Sequence, residues 1–352
     1  MNEKTGLMRP GVLPALGAAL LFGAGTPLAK ELLRAVSPWL LAGLLYLGSG
    51  IGLSLFRRIA RRLPVRLSPA EAGWFAAAVV SGGVIGPVLL MAGLAAMPAA
   101  PASLLLNAES VFTALLAWFV FRENVDRRIA LGMVAIVAGA VVLSWPGQGT
   151  LHAVGAAWPA LAVVGACLAW AIDNNLTRKV ALADPTWVAA VKGLVAGSVN
   201  LALGLAAGGS LPQLPALLGA LVVGLLAYGV SLSLFVVALR DLGSARTGAY
   251  FSVAPFFGAA LAVVLGDRPT PALLAAAVLM ALGVWLHLTE RHEHVHTHEA
   301  LEHEHEHVHD AHHHHAHDAP VEPGTRHSHR HRHAPLTHRH AHVPDMHHRH
   351  SH

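Results

Sequence analysis

The chain has 352 residues, with 54% hydrophobic residues and only 12% Asp, Glu, Lys and Arg, where a soluble domain carries about 25% charged residues. The charged skin that soluble domains of this length need is missing, which argues against a soluble enzyme. A single cysteine, Cys167, excludes a disulfide framework or a multi-cysteine metal site, and 24 of the 26 histidines fall between Arg291 and His352, so an oily body is joined near residue 290 to a histidine-rich tail.

A bilayer core needs about 20 apolar residues per helix, and the body can be cut into ten such stretches: 11–29, 38–56, 72–95, 101–121, 128–145, 154–173, 186–206, 214–239, 245–266 and 271–289. Each is bounded by Pro, Gly or charge. The first is read as an uncleaved helix rather than a signal peptide, because it runs on as a full span with nine more behind it. Many stretches are rich in Ala and Gly, which lets helices approach closely where oil supplies no hydrophobic drive.

The body carries a formal charge of +7 and the tail −3. The body's basic residues sit between the oily runs, as topology markers rather than a phosphate-binding stripe, and no nucleic-acid partner is expected. With the N-terminus inside, the inner side collects fifteen Lys and Arg, including Arg57, Arg58, Arg61, Arg62 and Arg66, against Lys30, Arg34 and Arg268 outside. By the positive-inside rule both termini face the cytoplasm of a multi-pass inner (plasma) membrane protein.

Five is an odd number, so a five-helix duplication would invert its second copy in the membrane. Pro14-Ala15-Leu16 matches Pro159-Ala160-Leu161 at an offset of 145, and Ala114 to Glu123 aligns in pattern with Gly258 to Asp267 at 144. In both copies a long apolar helix ends on a carboxylate. These features, with Ala18 to Lys30, Leu105 to Asn124 and Ala249 to Asp267, resemble the drug/metabolite transporter superfamily and its EamA-type permeases. The second copy keeps Pro255 but closes on Asp267 where the family commonly has Glu. The first keeps Glu123 but has Val111 at the proline position. The resemblance, which spans about 11–289, implies an all-α integral membrane fold of ten transmembrane helices in two inverted five-helix repeats, residues 1–145 and 153–289; it does not cover the tail, 290–352, whose composition predicts disorder.

Glu109 lies eight residues into its stretch, about 12 Å at 1.5 Å per residue. A carboxyl near the midplane is costly and usually faces a cavity, which suits a group that loads and unloads a proton during alternating access. Its plainer use is a hydrogen bond locking two helices. Asn107 could contact the same cavity. Lys192 could snorkel, neutralise an anionic substrate or pair with Glu109. Asn200 shares its face, with helix locking as the default role. Asp173, Asn174 and Asn175 read as a solvated helix end, with a polar gate or substrate mouth as the alternative, Trp170, Tyr228 and Tyr250 as packing or cavity aromatics, and Pro255 as a mid-helix hinge.

The tail alternates histidine with acid. His-x-His spacing puts imidazoles on one side of an extended strand, and neutral imidazole suits zinc, nickel, cobalt and copper. The candidate ligands are His303, His305, His307, His309 and His312, His313, His314 and His315. Composition this polar cannot bury a core, so disorder without metal is expected. His303 to His307 is no metalloprotease motif, which needs a rigid helix and a third ligand.

The expected function is a permease that exports a small polar metabolite against a proton gradient. No cofactor is required, and Zn, Ni or Co binds the tail. Two alternatives stand beside it, a divalent transition-metal exporter and a membrane-anchored metal buffer or sensor. The body has no nucleophile–base pair, P-loop or dinucleotide fingerprint, so it is not expected to be an enzyme. The partners expected are the bilayer, a small-molecule or metal-ion substrate and a second copy of the chain.

Overall fold

A computed structural model describes residues 11–62, 65, 67–121, 127–144, 153–177, 180, 184–242, 247 and 250–288, and four tail segments given below. The chain divides into two units, Met1–Glu290 and Arg291–His352. Among the described residues the body is built of ten helical spans: α1 (Val12–Leu32), α2 (Pro38–Ile59), α3 (Pro69–Ala96), α4 (Ala99–Leu105, resuming at Ala108–Phe121), α5 (Arg127–Ser144), α6 (Ala153–Thr177), α7 (Pro185–Ala206), α8 (Leu214–Gly224, continuing to Leu242), α9 (Ala254–Val264) and α10 (Pro271–Leu288). Seven are long and apolar enough to cross a membrane, and apolar stretches of α5, α9 and α10 are shorter.

The sequence sets the helix starts. Pro38, Pro69, Pro185 and Pro271 open their helices, where a fixed φ is pre-organised and the missing N–H would have no partner. At Pro69 the start is reinforced by a capping box: Ser68 Oγ accepts from the Glu71 N–H, and the Ser68 N–H donates to Glu71 Oε2 at 2.8 Å.

The two halves repeat each other in detail. A π-helical run, Val79–Ile85, interrupts α3, and a second, Leu225–Val230, interrupts α8 at an offset of 145–146 residues. The helical ladder of α4 breaks at 106–107, and the chain turns at 252–253 just before α9, again an offset of 146. Packing obeys the same exchange of halves: α1 lies against α8 and α9, as α6 lies against α3 and α4, while α2 pairs with α7 and α5 with α10. Each continuous stretch expected at 101–121 and 245–266 is thus a broken helix. Pro255 does not kink a helix from within; it sits in the first turn of α9, after the break.

Small residues bring α2 and α7 together. A Cβ on Gly193 would lie 2.7 Å from Gly50 Cα, and one on Gly197 would lie 2.6 Å from Leu47 N. Only glycine permits that approach.

The described tail segments are extended: β1 (His292–His298), β2 (Glu302–His307), β3 (His327–Arg332) and β4 (Leu336–His342). β1 pairs antiparallel with β4 and β2 with β3, in a register that sets His303, His305 and His307 opposite His331, His329 and His327. His309 and His312–His315 lie outside the described residues, as does Glu123.

Candidate functional site

The π-run of α3 organises the polar interior. A π-turn leaves carbonyls without their usual helical partners, and such runs are frequent at functional sites. Three other helices supply donors. Tyr46 Oη of α2 and Trp170 Nε1 of α6 both donate to the Gly82 carbonyl at 2.9 Å, and Asn200 Nδ2 of α7 donates to that of Gly83 at 3.1 Å. Ser81 Oγ returns a bond to the Ala169 carbonyl at 2.8 Å.

Against this backbone sits an ion pair. Lys192 Nζ contacts Asp173 Oδ1 at 2.6 Å and Oδ2 at 2.7 Å, with side chains 16% and 8% exposed. Asp173 packs on Gly82, where a Cβ would collide with its carboxylate, and Lys192 Cγ lies 3.4 Å from where a Cβ on Gly83 would be. Asp173 also accepts from Thr177 Oγ1 at 2.9 Å. The expectation of a solvated helix end is therefore corrected: Asp173 is buried, because its charge is matched by Lys192 across the α6–α7 hairpin. Lys192 meets Asp173, not Glu109.

Glu109 stands at the first turn of the resumed α4, half-buried, with Oε1 accepting from Asn174 Nδ2 at 2.8 Å. The positive end of a helix dipole favours a carboxylate there. Adjacent residues of α6 thus split their duties, Asp173 to Lys192 and Asn174 to Glu109. Asn107 is turned to the helix break instead: its Nδ2 donates to the Leu104 carbonyl at 3.0 Å and lies 3.9 Å from Met280 Sδ, while Ser110 Oγ donates to its carbonyl at 2.7 Å. It mends a broken ladder and is spent there. Asn200 Oδ1, fully buried, has no hydrogen-bond partner among the described residues, so α7 offers an acceptor on the helix that carries Lys192.

An aromatic chain adjoins the cluster. Tyr46 stacks near Tyr228 (5.5 Å between centroids), Tyr228 meets Phe22 edge-on at 5.9 Å, and Phe22 meets Phe251 at 5.3 Å. It joins α2, α8, α1 and the approach to α9.

Both ends of the body are clasped. At the arginine-rich end, Arg57 Nη1 reaches Asp184 Oδ2 at 2.7 Å and Thr186 Oγ1 at 2.6 Å, tying α2 to the start of α7. Partial burial works to raise the Asp184 pKa, but hydrogen bonds from Thr186 and Arg57 and the guanidinium charge outweigh it and hold the carboxyl at about 2. At the opposite end, Lys30 Nζ donates to the Leu94 and Ala95 carbonyls at 2.7 and 3.2 Å, and Asp267 Oδ2 accepts from the Ala100 N–H at 2.7 Å. A cation closes the C-terminus of α3 and a carboxylate closes the N-terminus of α4, each with its favourable dipole end.

Tyr46 and the π-run were not singled out from sequence, and Asp173 was read there as part of a solvated helix end rather than as the partner of Lys192. Asp173 could have been paired by depth: it lies four residues from the end of α6 and Lys192 seven from the start of α7, about 6 and 10 Å from one face.

The EamA-like transporter family matches this chain over residues 9–145 and 157–289. An uncharacterized transporter of Methanothermobacter thermautotrophicus is 28% identical, over 78% of this chain and 85% of its own. A probable 4-amino-4-deoxy-L-arabinose-phosphoundecaprenol flippase subunit of Pseudomonas fluorescens is 31% identical, over 29% of this chain and 96% of its own. A solved crystal structure of a protein superposes with a TM-score of 0.60 at 21% identity, covering 78% of this chain and 95% of that one, a likeness of fold. With two matched repeats that each carry a π-interrupted third helix and a broken fourth, the chain belongs to the EamA-like transporter family and is a multi-pass membrane transporter.

Proposed function

We propose that this transporter exports a small polar metabolite in exchange for protons, by alternating access between its repeats. The observation that carries this reading is the set of ionisable groups gathered where four helices meet: Glu109 at a helix break, with the Asp173–Lys192 pair beside it. Discontinuous helices with charged groups at their ends are how membrane transporters build substrate and coupling-ion sites. In this reading Glu109 is the coupling group, released and recaptured by Asn174. Lys192 meets the substrate's acidic group when Asp173 lets it go, and Asn200 Oδ1 takes a substrate donor. The arginine-rich end faces the cytoplasm of the plasma membrane, and both termini lie there.

A second reading, export of a divalent transition metal with the tail as collector, is favoured by the His-on-His register of β2 and β3. Against it, Glu109 is engaged by the Asn174 amide and the neighbouring Asp173 carboxylate by the Lys192 ammonium. Among the described residues of the body no group of three His, Cys, Asp or Glu could hold a metal. In either case the tail binds zinc, nickel or cobalt through residues that include His303, His305 and His307. In a third, the body transports nothing and anchors a metal buffer or sensor.

The deciding experiment is tracer zinc and nickel uptake, beside a panel of labelled amino acids and nucleosides, into inverted vesicles with and without a proton gradient. Full-length protein, a 1–290 truncation and Glu109→Gln are compared. Gradient-driven organic uptake that dies with Glu109→Gln and survives truncation is expected. Gradient-driven metal uptake lost in both variants would establish the metal exporter. Surface metal binding that follows the tail alone, with no gradient-driven flux of any solute, would leave the buffer.

A further inference from the structure

α3 and α7 converge at the π-run, where α7 packs, and part towards the arginine-rich end. Their facing stripes explain the gap. On α3 it is lined by Ala72, Ala76 and Val80, one turn apart, and on α7 by Trp187, Val191 and Val195. Ala72 and Ala76, set among the larger Phe75, Val79 and Val80 of the same helix, leave an apolar groove of about 470 Å³. It lies on the outer surface of the body, with Val80 55% and Val195 47% exposed. Phe75 and Trp187 stack at its head, 5.6 Å between ring centroids.

The head of the groove meets a band of positive charge. Arg57 ties the end of α2 to Asp184, one turn from Trp187, and Arg58, Arg61 and Arg62 follow it as exposed side chains. The described carboxylates nearest the head are both engaged: Asp184 with Arg57 and Thr186, and Glu71 with Ser68. A wedge that is apolar inward and cationic at its mouth has the polarity of one lipid leaflet.

We propose that this groove is a binding site for an anionic phospholipid of the bilayer, with an acyl chain between α3 and α7 and the phosphate against Arg58, Arg61 and Arg62. The chain fills the space left by Ala72 and Ala76, and the headgroup supplies negative charge to Arg58, Arg61 and Arg62, which Asp184, paired with Arg57, does not provide. This site is separate from the Glu109 cluster, and its lipid preference does not depend on which solute the transporter carries.

The test uses the full-length protein in liposomes with dibrominated acyl chains, which quench nearby tryptophan. The contribution of Trp187 is the difference between wild type and Trp187→Phe. Quenching against mole fraction gives relative affinity for brominated phosphatidylglycerol over brominated phosphatidylcholine. Each basic residue near a membrane surface contributes about 1 kcal/mol towards an anionic lipid, or about fivefold. A preference of about fivefold or more is expected, falling to near parity in Arg58→Gln/Arg61→Gln/Arg62→Gln. Ala76→Phe, which fills the groove, should cut Trp187 quenching by both lipids while leaving the thermal midpoint in place. Equal quenching by the two lipids in wild type, a preference that survives the triple substitution, or unchanged quenching in Ala76→Phe would overturn the proposal.

Discussion

Asp173→Asn removes the charge that Lys192 is buried against and leaves the rest of its surroundings in place. At the observed 2.6 Å and an effective dielectric of about 20, the gross attraction is ~6 kcal/mol. Desolvating both ions consumes much of this, so the net value of the pair is small, but stranding one partner is costly. With the side chains only 16% and 8% exposed, the expected loss is about 3–5 kcal/mol, a drop of roughly 100- to 5,000-fold in the folding equilibrium. Lys192→Met alone strands the carboxylate and should cost a similar amount. The double variant Asp173→Asn/Lys192→Met strands neither and should return to within ~1 kcal/mol of wild type. The assay is reversible unfolding in mixed micelles titrated with dodecyl sulfate, followed by tryptophan fluorescence and read as a double-mutant cycle. Additive losses would refute the buried pair. If the double variant refolds to wild-type stability yet transports nothing, the pair serves transport as well as folding.

Four further outcomes follow from named contacts. Glu109→Gln should abolish the gradient-dependent part of uptake in inverted vesicles while keeping the fold, and Asn174→Ala should shift its pH profile without abolishing it; unchanged profiles would remove Glu109 from coupling. Asp184 is held at about 2 in the folded chain, below its ordinary 3.8. Its contribution is therefore complete above about pH 4 and is lost as pH falls towards 2, so Asp184→Asn should flatten the acid limb of thermal midpoint against pH; an identical limb would contradict the clasp. Gly193→Leu should separate α2 from α7, since a Cβ alone would lie 2.7 Å from Gly50 Cα, and give a chain degraded or unfolded in detergent; a well-folded variant would refute the close approach. A 1–290 truncation should lose zinc and nickel binding by calorimetry with no change in the thermal midpoint of the body.

Hydropathy and charge make the ten spans legible, because oil and loops differ in composition at every boundary and proline marks several helix starts to the residue. The repeat was legible for the same reason: Pro14-Ala15-Leu16 and Pro159-Ala160-Leu161 stand at nearly the offset of the two π-runs. The runs themselves were not, since Ser81-Gly82-Gly83 is as apolar and as small in an α-turn as in a π-turn, and only the donors brought by Tyr46, Trp170 and Asn200 make the wider turn satisfied. The helix breaks were hidden likewise. Leu106-Asn107 sits in an unbroken apolar stretch, and Asn107 looked like a cavity residue when its amide repairs the ladder. Glu109 was legible by depth alone. Its partner Asn174 and the turn of Lys192 to Asp173 depend on the rotation of α4, α6 and α7, which composition does not encode.

The paired π-runs have a consequence for how this molecule tolerates change. A π-turn houses more residues than an α-turn over the same rise, so deleting one residue between Val79 and Ile85 would restore α-geometry with Gly86–Ala96 still in phase, whereas deleting two, one more than the wide turn holds, would swing Gly86–Ala96 by about 100° about its axis. Every side chain beyond the deletion would then face a different neighbour. Lys30 would lose the carbonyls of Leu94 and Ala95 although neither was altered. Substitutions along α3 act where they are made, whereas a change in its length would act at the far end, and the matching run in α8 carries the same phase. The fold therefore carries two such points of length sensitivity, one in each half.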